Sequence, residues 1–320
     1  MPVRKESMQV ISDVKSNLEA CILGKSFEIE LLLTALLAGG HVLIEDVPGT
    51  GKTQMIKALS KSMSGQYRRI QCNPDLLPSD ITGVSIFHPK DEQFYFRPGP
   101  VMTNILLADE INRATTKTQS ALLEVMEERN VTVDGETHPL PHPFMLCATQ
   151  NPIDFEGTYM LPEAQLDRFM MKITIGYPDE QTEKNLLKQQ GNVSGHPVDH
   201  LQPVTDMESI AAIQQEIRAV HMDDSVSDYL VSIIRATREH RSVLLGASPR
   251  ATLSFMMAVK AHALIHERDY VLPDDVKKLA PYVIAHRILP RPEARMERMS
   301  AERIMQQILE QITAPVSVGQ

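Results

Sequence analysis

The segment His41 to Thr53, HVLIEDVPGTGKT, constrains this chain more than any other stretch. An apolar run, His41 to Glu45, reads as a buried strand. A turn with two glycines follows, and then a helical pattern from Thr53 to about Ser64. A Gly-rich turn entering a helix N-terminus lets backbone N–H groups converge without Cβ clashes, which is what phosphate binding requires. Pro48, Gly49, Thr50 and Gly51 would form the cradle. Lys52 would reach the β- and γ-phosphates, the Thr53 hydroxyl would hold Mg²⁺, and Gln54 completes the expected nucleotide contacts. Asp46 stands where the strict pattern has its first glycine. An acid so close to phosphate must point away.

Four more apolar runs follow: 67–72, 104–109, 144–149 and 169–175. Helical patterns separate them, with Leu122, Leu123, Val125 and Met126 inward over 119–129. Alternating strands and helices predict a parallel sheet covered on both faces. After Tyr177-Pro178-Asp179 strand-like runs stop, and helical periods cover 179–190, 206–219, 224–240, 249–267, 273–287 and 298–312. The expectation is an α/β P-loop core at 1–177, then an all-helical second domain at 178–320. The tail from Ala314 to Gln320 is expected to fray.

Three features fall at strand ends or helix starts. NILLADE ends an apolar strand in Asp109 and Glu110. In a parallel sheet ligands gather at the carboxyl edge, so Asp109 would share the Mg²⁺ with Thr53 and Glu110 would polarise the attacking water. FMLCAT runs into Gln150-Asn151-Pro152, where Asn151 can meet the γ-phosphate or the lytic water. Ser248-Pro249 reads as an N-cap and first helical residue, placing Arg250 in a first turn against the macrodipole, where it calls for an anion. Arg168, in LPEAQLDRF, reads from composition as a surface arginine paired with Asp167 or Glu163.

Composition narrows the remaining classes. With 320 residues and 42% hydrophobic residues the chain can bury a substantial core. No apolar run approaches a membrane span, and no apolar stretch follows the basic N-terminus. Cys21, Cys72 and Cys147 read as small buried thiols in a reducing compartment, which predicts a cytoplasmic protein. A net charge of −9 argues against non-specific binding to nucleic acid. His262 and His266 have helical spacing but Ala263 between them, so they read as ordinary helix histidines and not a metal motif.

DVPGTGKT, NILLADEINRATTKTQSALLEVMEER, CATQNP, LPEAQLDRF and GASPRA, in that order, closely resemble MoxR-type AAA+ ATPases, over roughly Ile11 to Pro290. The resemblance implies a RecA-like nucleotide-binding core at 1–177 and a helical lid at 178–320 with ATP between them, and Mg²⁺-dependent ATP hydrolysis by a ring-forming, chaperone-like remodeller with six copies in the ring. It assigns Lys52 and Thr53 to Walker A, Asp109 and Glu110 to Walker B and Asn151 to sensor 1. Arg250 resembles a lid sensor 2, Arg168 an arginine finger acting on the neighbouring subunit, and Arg113 an interface residue. Ile22-Leu23-Gly24 is similar to the stretch that wraps adenine. The family implies protein clients, including separate partners with a von Willebrand factor A-type domain. It also implies hairpins at 131–137 and 85–99. Two alternatives stay open at this stage: a nucleic-acid-dependent motor, and a nucleotide-binding switch with little turnover.

Overall fold

The computed structural model describes residues 4–152, 158–190 and 196–315. Two helices lead in, α1 (Lys5–Cys21) and α2 (Ser26–Leu37). The α/β part follows in the order β1 (Val42–Glu45), α3 (Lys52–Ser62), β2 (Tyr67–Gln71), α4 (Pro78–Thr82), β3 (Gly83–His88), β4 (Gln93–Pro98), β5 (Ile105–Asp109), α5 (Thr116–Glu128), β6 (Asn130–Val133), β7 (Glu136–Pro139), β8 (Met145–Gln150), α6 (Glu163–Leu166) and β9 (Met171–Ile173). Beyond it lie α7 (Glu180–Gln190), α8 (Met207–Glu216), α9 (Asp224–Glu239), β10 (Val243–Leu245), α10 (Pro249–Ile265), α11 (Pro273–Ile284), β11 (Leu289–Pro290), α12 (Pro292–Met296) and α13 (Ala301–Gln311).

All five apolar runs become strands of one parallel sheet, ordered β2-β5-β8-β1-β9. Its central strands are apolar at nearly every position because helices cover both faces. The two expected hairpins form as β3–β4 and β6–β7, the second turning through Asp134 and Gly135, both at positive φ. Their aromatic residues divide. Phe96 stacks on His138 at 3.9 Å, whereas Phe94 is 70% exposed at the tip. The second half is not purely helical, since β10 and β11 form a short antiparallel pair too brief to leave a pattern in the sequence. Residues 316–320 of the expected tail lie outside the described residues.

The helical half packs on the core through α2. From Ile29 to Leu37 every residue of α2 is buried, so it is enclosed on all sides, with α10 among its neighbours. One residue of that stretch is charged. Glu30 receives Lys15 Nζ at 3.3 Å, Lys278 Nζ at 2.6 Å, His262 Nε2 at 3.0 Å and His266 Nε2 at 3.2 Å. His262 Nδ1 in turn lies 2.7 Å from Asp275, which also takes Arg268. The histidines are therefore more than ordinary helix residues, because His262 bridges a core carboxylate to a lid carboxylate. The ligand atoms of Glu30, His262 and His266 lie within 4.8 Å of one another, but the two lysine ammoniums already on Glu30 make this an ion-pair junction rather than a cation site.

Burial opposes ionisation of Glu30, yet its donors from His262, Lys278 and His266 outweigh burial and hold the carboxyl well below the usual range. Burial likewise lowers the His262 pKa, and the hydrogen bonds to Asp275 and Glu30 reverse this to a net rise. A raised histidine pKa stabilises fully below the unfolded value of about 6.5 and loses that contribution as pH rises through the folded value. His262→Leu should therefore cost on the order of 3 kcal/mol in urea unfolding near pH 6. The gap from the parent should narrow steadily on the alkaline side. An unchanging gap from pH 6 to 9 would contradict a protonated bridge.

Candidate active site

The parallel register decides which side chains meet. Pairing Ala108 with Ala148 and Gln71 with Asp109 brings Gln71, Asp109 and Thr149 into one row at the carboxyl edge. The turn between β1 and α3 opens onto the same edge. Gly49 and Gly51 sit at φ +86° and +87°, with nothing within 4 Å of where a Cβ would stand. That left-handed backbone is strained for other residues, which explains both glycines. Lys52 Nζ lies over the loop, 3.0 Å from both Asp46 O and Val47 O. The resulting cavity, about 430 Å³, is lined by Pro48 through Gln54 together with Arg69, Gln71, Asp109, Glu110, Thr149, Gln150 and Asn151. The open glycine cradle, the ammonium and the facing carboxylates fit a nucleoside triphosphate, and the oxygen donors Thr53 and Asp109 fit Mg²⁺.

Asp109 accepts from Thr149 Oγ1 at 2.5 Å and from Arg69 Nη2 at 2.6 Å. Glu110 is held at φ +57°, an uncommon conformation for a side chain of its kind, and its N–H donates to Thr149 Oγ1 at 2.9 Å. Gln71 Nε2 donates to the Glu110 carboxylate at 3.0 Å, and Arg113 Nη1 lies 3.3 Å from it. Behind this turn, buried Gln119 donates to Ile111 O, Ala114 O and Tyr159 O and fixes the loop that follows the acids. Burial, with Asp109 and Glu110 nearby, pushes the Cys72 thiol up to about 12, and burial alone does the same to Cys147. Both stay protonated near neutrality. Cys21 is only half-buried, contrary to the expectation for three buried thiols.

Arg69, Gln71 and Thr149 escaped sequence reasoning. Register alone identifies them, because each lies at or near the end of a strand whose neighbours carry the recognisable acids.

Asp46 does point away from phosphate. It is buried, and its carboxylate accepts from Val47 N at 2.8 Å, Ile175 N at 3.2 Å and Gly176 N at 2.8 Å. The same segment receives Lys25 Nζ on Ile175 O and Tyr177 O. Lys25 follows Ile22, Leu23 and Gly24, so the expected adenine-wrapping stretch is tied to the segment that Asp46 anchors. None of these three residues lines the cavity itself.

Arg168 and Arg250 do not line this cavity either. They line a second hollow with Gly39, Gly40, His41, Glu127, Arg129 and Ser254. Gly40 and His41 precede β1, whereas the phosphate loop follows it, so the two sites occupy opposite ends of one strand. At about 3.3 Å per residue the separation is on the order of 15 Å. Arg250 does occupy a first helical turn capped by Ser248, whose Oγ accepts from Ala251 N at 3.1 Å. The anion it meets is the Glu127 carboxylate, not nucleotide on its own chain. Arg168 also meets Glu127, at 3.3 Å, rather than Asp167 or Glu163. The phosphate cavity is thus lined by core residues alone, with the lid's Arg250 at the far end of β1.

Residues 41–171 match the family described as ATPases associated with various cellular activities, and residues 235–308 match the AAA lid domain. The Mycobacterium tuberculosis protein named Chaperone MoxR1 is 41% identical over 304 residues, covering 92% of this chain and 79% of that protein. The Bacillus subtilis protein YeaC is 49% identical over 316 residues, covering 99% and 98% of the two chains. A solved structure from Cytophaga hutchinsonii superposes with a TM-score of 0.90 at 38% identity, covering 97% of this chain and 96% of that one.

The chain belongs to the MoxR family of AAA+ ATPases. In this MoxR-family chain the glycine cradle and paired acids line the candidate nucleotide site, and no helix among the described residues is long and apolar enough to cross a membrane. Removing the Asp46 carboxylate would orphan buried N–H groups of the 175–176 segment. Asp46→Ala should lower stability by about 1–3 kcal/mol and speed proteolysis near Tyr177. Unchanged unfolding and cleavage would show that the anchor is unimportant.

Proposed function

We propose that this chain hydrolyses ATP to ADP and phosphate as one subunit of a homo-oligomeric ring, six copies in the closed form, and uses the cycle to remodel client proteins in the cytoplasm. The single observation that carries this reading is the division of the catalytic groups between the two ends of β1. One end has the cradle, Lys52 and the acids, while the other has Arg168 and Arg250. A second copy, docked with its arginine end against the first copy's phosphate cavity, completes the site. Arg250 then acts across the boundary, beside Arg168, instead of sensing its own subunit's nucleotide.

Within the cavity Lys52 would bind the β- and γ-phosphate oxygens, and Thr53 and Asp109 would hold Mg²⁺, which would supply further positive charge to the phosphates. Glu110 orients the attacking water, and Asn151 fixes that water or the γ-phosphate. Gln71, already on Glu110, governs how far its carboxylate is available. Arg113 shares Glu110 from the exposed side, which suits the interface role that the family resemblance implies. The relative named Chaperone MoxR1 supports a protein client, and a separate chain with a von Willebrand factor A-type domain is the partner we favour.

Lys52→Ala should lose most ATP affinity, because the phosphates lose their cation. Glu110→Gln should bind ATP nearly normally while turnover collapses. Isothermal titration with phosphate-release kinetics separates the two, and normal turnover in Glu110→Gln would sink the assignment. A charge supplied in trans is worth about 10³–10⁵ in rate, so Arg168→Ala should be almost inactive yet still bind ATP. Mixing it with Lys52→Ala should restore part of the activity, since some boundaries then pair an intact arginine with an intact cradle. Failure to recover despite demonstrated co-assembly would exclude Arg168 as the trans group.

A further inference from the structure

The phosphate chemistry assigns no part to Glu127, yet both of its carboxylate oxygens are committed. It lies in the last turn of α5, about one-third exposed. Oε2 is 3.3 Å from Arg168 Nη2, on the core loop before β9, and Oε1 accepts from Arg250 Nη2, on the lid helix α10. One carboxylate therefore joins two arginines that belong to different parts of the chain. A second link runs parallel to it. Asp167 accepts from Ser248 Oγ at 2.9 Å, and the buried Arg287 places Nε 3.2 Å from Asp167 and donates through Nη2 to Phe169 O at 2.8 Å. Loop residues 167–168 and cap residues 248–250 are thus tied together twice.

The hollow also contains Arg129. Its Nη2 donates to Gly39 O at 2.9 Å, and no carboxylate pairs with it among the described residues. The neighbouring His41 is uncharged near neutrality, since burial and the Arg129 charge lower its pKa to about 4. Three guanidiniums facing a single carboxylate leave the hollow cationic, suited to an oxyanion with several oxygens. Without Glu127, Arg168 and Arg250 would repel each other and spread into solvent.

We propose that Glu127 is a positioning residue that sets Arg168 and Arg250 side by side, as a preformed pair, for the terminal phosphate of a nucleoside triphosphate held by a neighbouring copy. This rests on the trans reading of the two arginines given above. The carboxylate touches neither phosphate nor water. It acts by fixing where two cations stand, so its loss should affect the rate and spare binding to the cradle at the far end of β1.

The test uses the full chain with ATP, at protein concentrations where the parent's specific activity no longer rises. Glu127→Gln keeps the shape and one acceptor oxygen but loses the charge. It should lower kcat between about 10- and 100-fold, the scale expected of a misplaced catalytic group, while KM for ATP moves less than about twofold. Glu127→Asp should recover part of the rate. Arg250→Ala should cost markedly less in the Glu127→Gln background than in the parent, because the pair is already broken. Parent-like or faster turnover in Glu127→Gln, with Arg168→Ala inactive, would overturn the positioning role and leave the trans reading intact. Parent-like turnover in Arg168→Ala would overturn both. Strictly additive losses, or a KM increase matching the fall in kcat, would reduce Glu127 to a structural residue and overturn the proposal.

Discussion

The parallel pairing of β1 with β8 and β9 gives the sheet two chemically different edges, and the rest of the molecule is arranged around that difference. At the carboxyl edge, strand ends deliver Gln71, Asp109, Thr149 and Gln150 in register beside a turn that only glycine accommodates. At the amino edge, the approach to β1 through Gly40 and His41 meets the end of α5 and the loop carrying Arg168. An antiparallel arrangement would scatter these groups. The buried His41 fixes the amino edge, with Nδ1 accepting from Leu146 N at 2.9 Å and Nε2 lying 3.2 Å from Met126 O. Burial keeps this imidazole neutral, so it can accept through one nitrogen and donate through the other.

The lid is attached to this sheet by charge as much as by apolar area. Glu30 on α2 joins His262 and Lys278, Glu45 on β1 joins Lys172 and through it Glu302 on α13, and Asp167 joins Ser248 and Arg287. These contacts differ in solvent exposure. The Glu30 junction is buried, and removing one partner there leaves uncompensated charge. The Lys172–Glu302 contact is partly exposed and contributes little by itself. The lid is therefore held firmly where α10 crosses α2 and more loosely at its edges. Because α10 carries Arg250 in its first turn and His262 further along the same helix, anything that grips Arg250 pulls on an element tied to the core through Glu30.

Much of this was legible in the sequence, for physical reasons that also explain what was not. The five strands could be read because strands buried on both faces are almost uninterrupted apolar runs. The cradle could be read because positive φ at Gly49 and Gly51 demands a residue without a Cβ, and Ser248 because a helix N-terminus needs an acceptor for its free N–H groups. β10 and β11 are too short to establish a period. Arg69 and Gln71 lie on an edge strand whose relation to Asp109 is set by pairing across nearly forty residues, which no local pattern records. The same limit applies to Arg250. Its position against the macrodipole correctly indicated an anion, but local sequence carries no information on whether that anion is nucleotide or a carboxylate 123 residues away.

The charges of the two hollows are complementary, which is what the proposed trans reading rests on. In the phosphate cavity Lys52 and Arg69 face Asp109 and Glu110, and Arg69 is already committed to Asp109. Among the described residues of this cavity, the Lys52 ammonium is then the cation left for a strongly anionic triphosphate. The other hollow has the opposite imbalance, with Arg129, Arg168 and Arg250 around one carboxylate. Groups that stabilise developing charge work best when fixed in place before the reaction and shielded from water. In an isolated subunit Arg168 and Arg250 stand a strand's length from the phosphate cavity. On the proposed reading, apposing two subunits would bring these surplus cations to the γ-phosphate as the boundary closed over the cavity. Coupling of turnover to assembly would then follow from the distribution of charge, without any conformational switch inside the core.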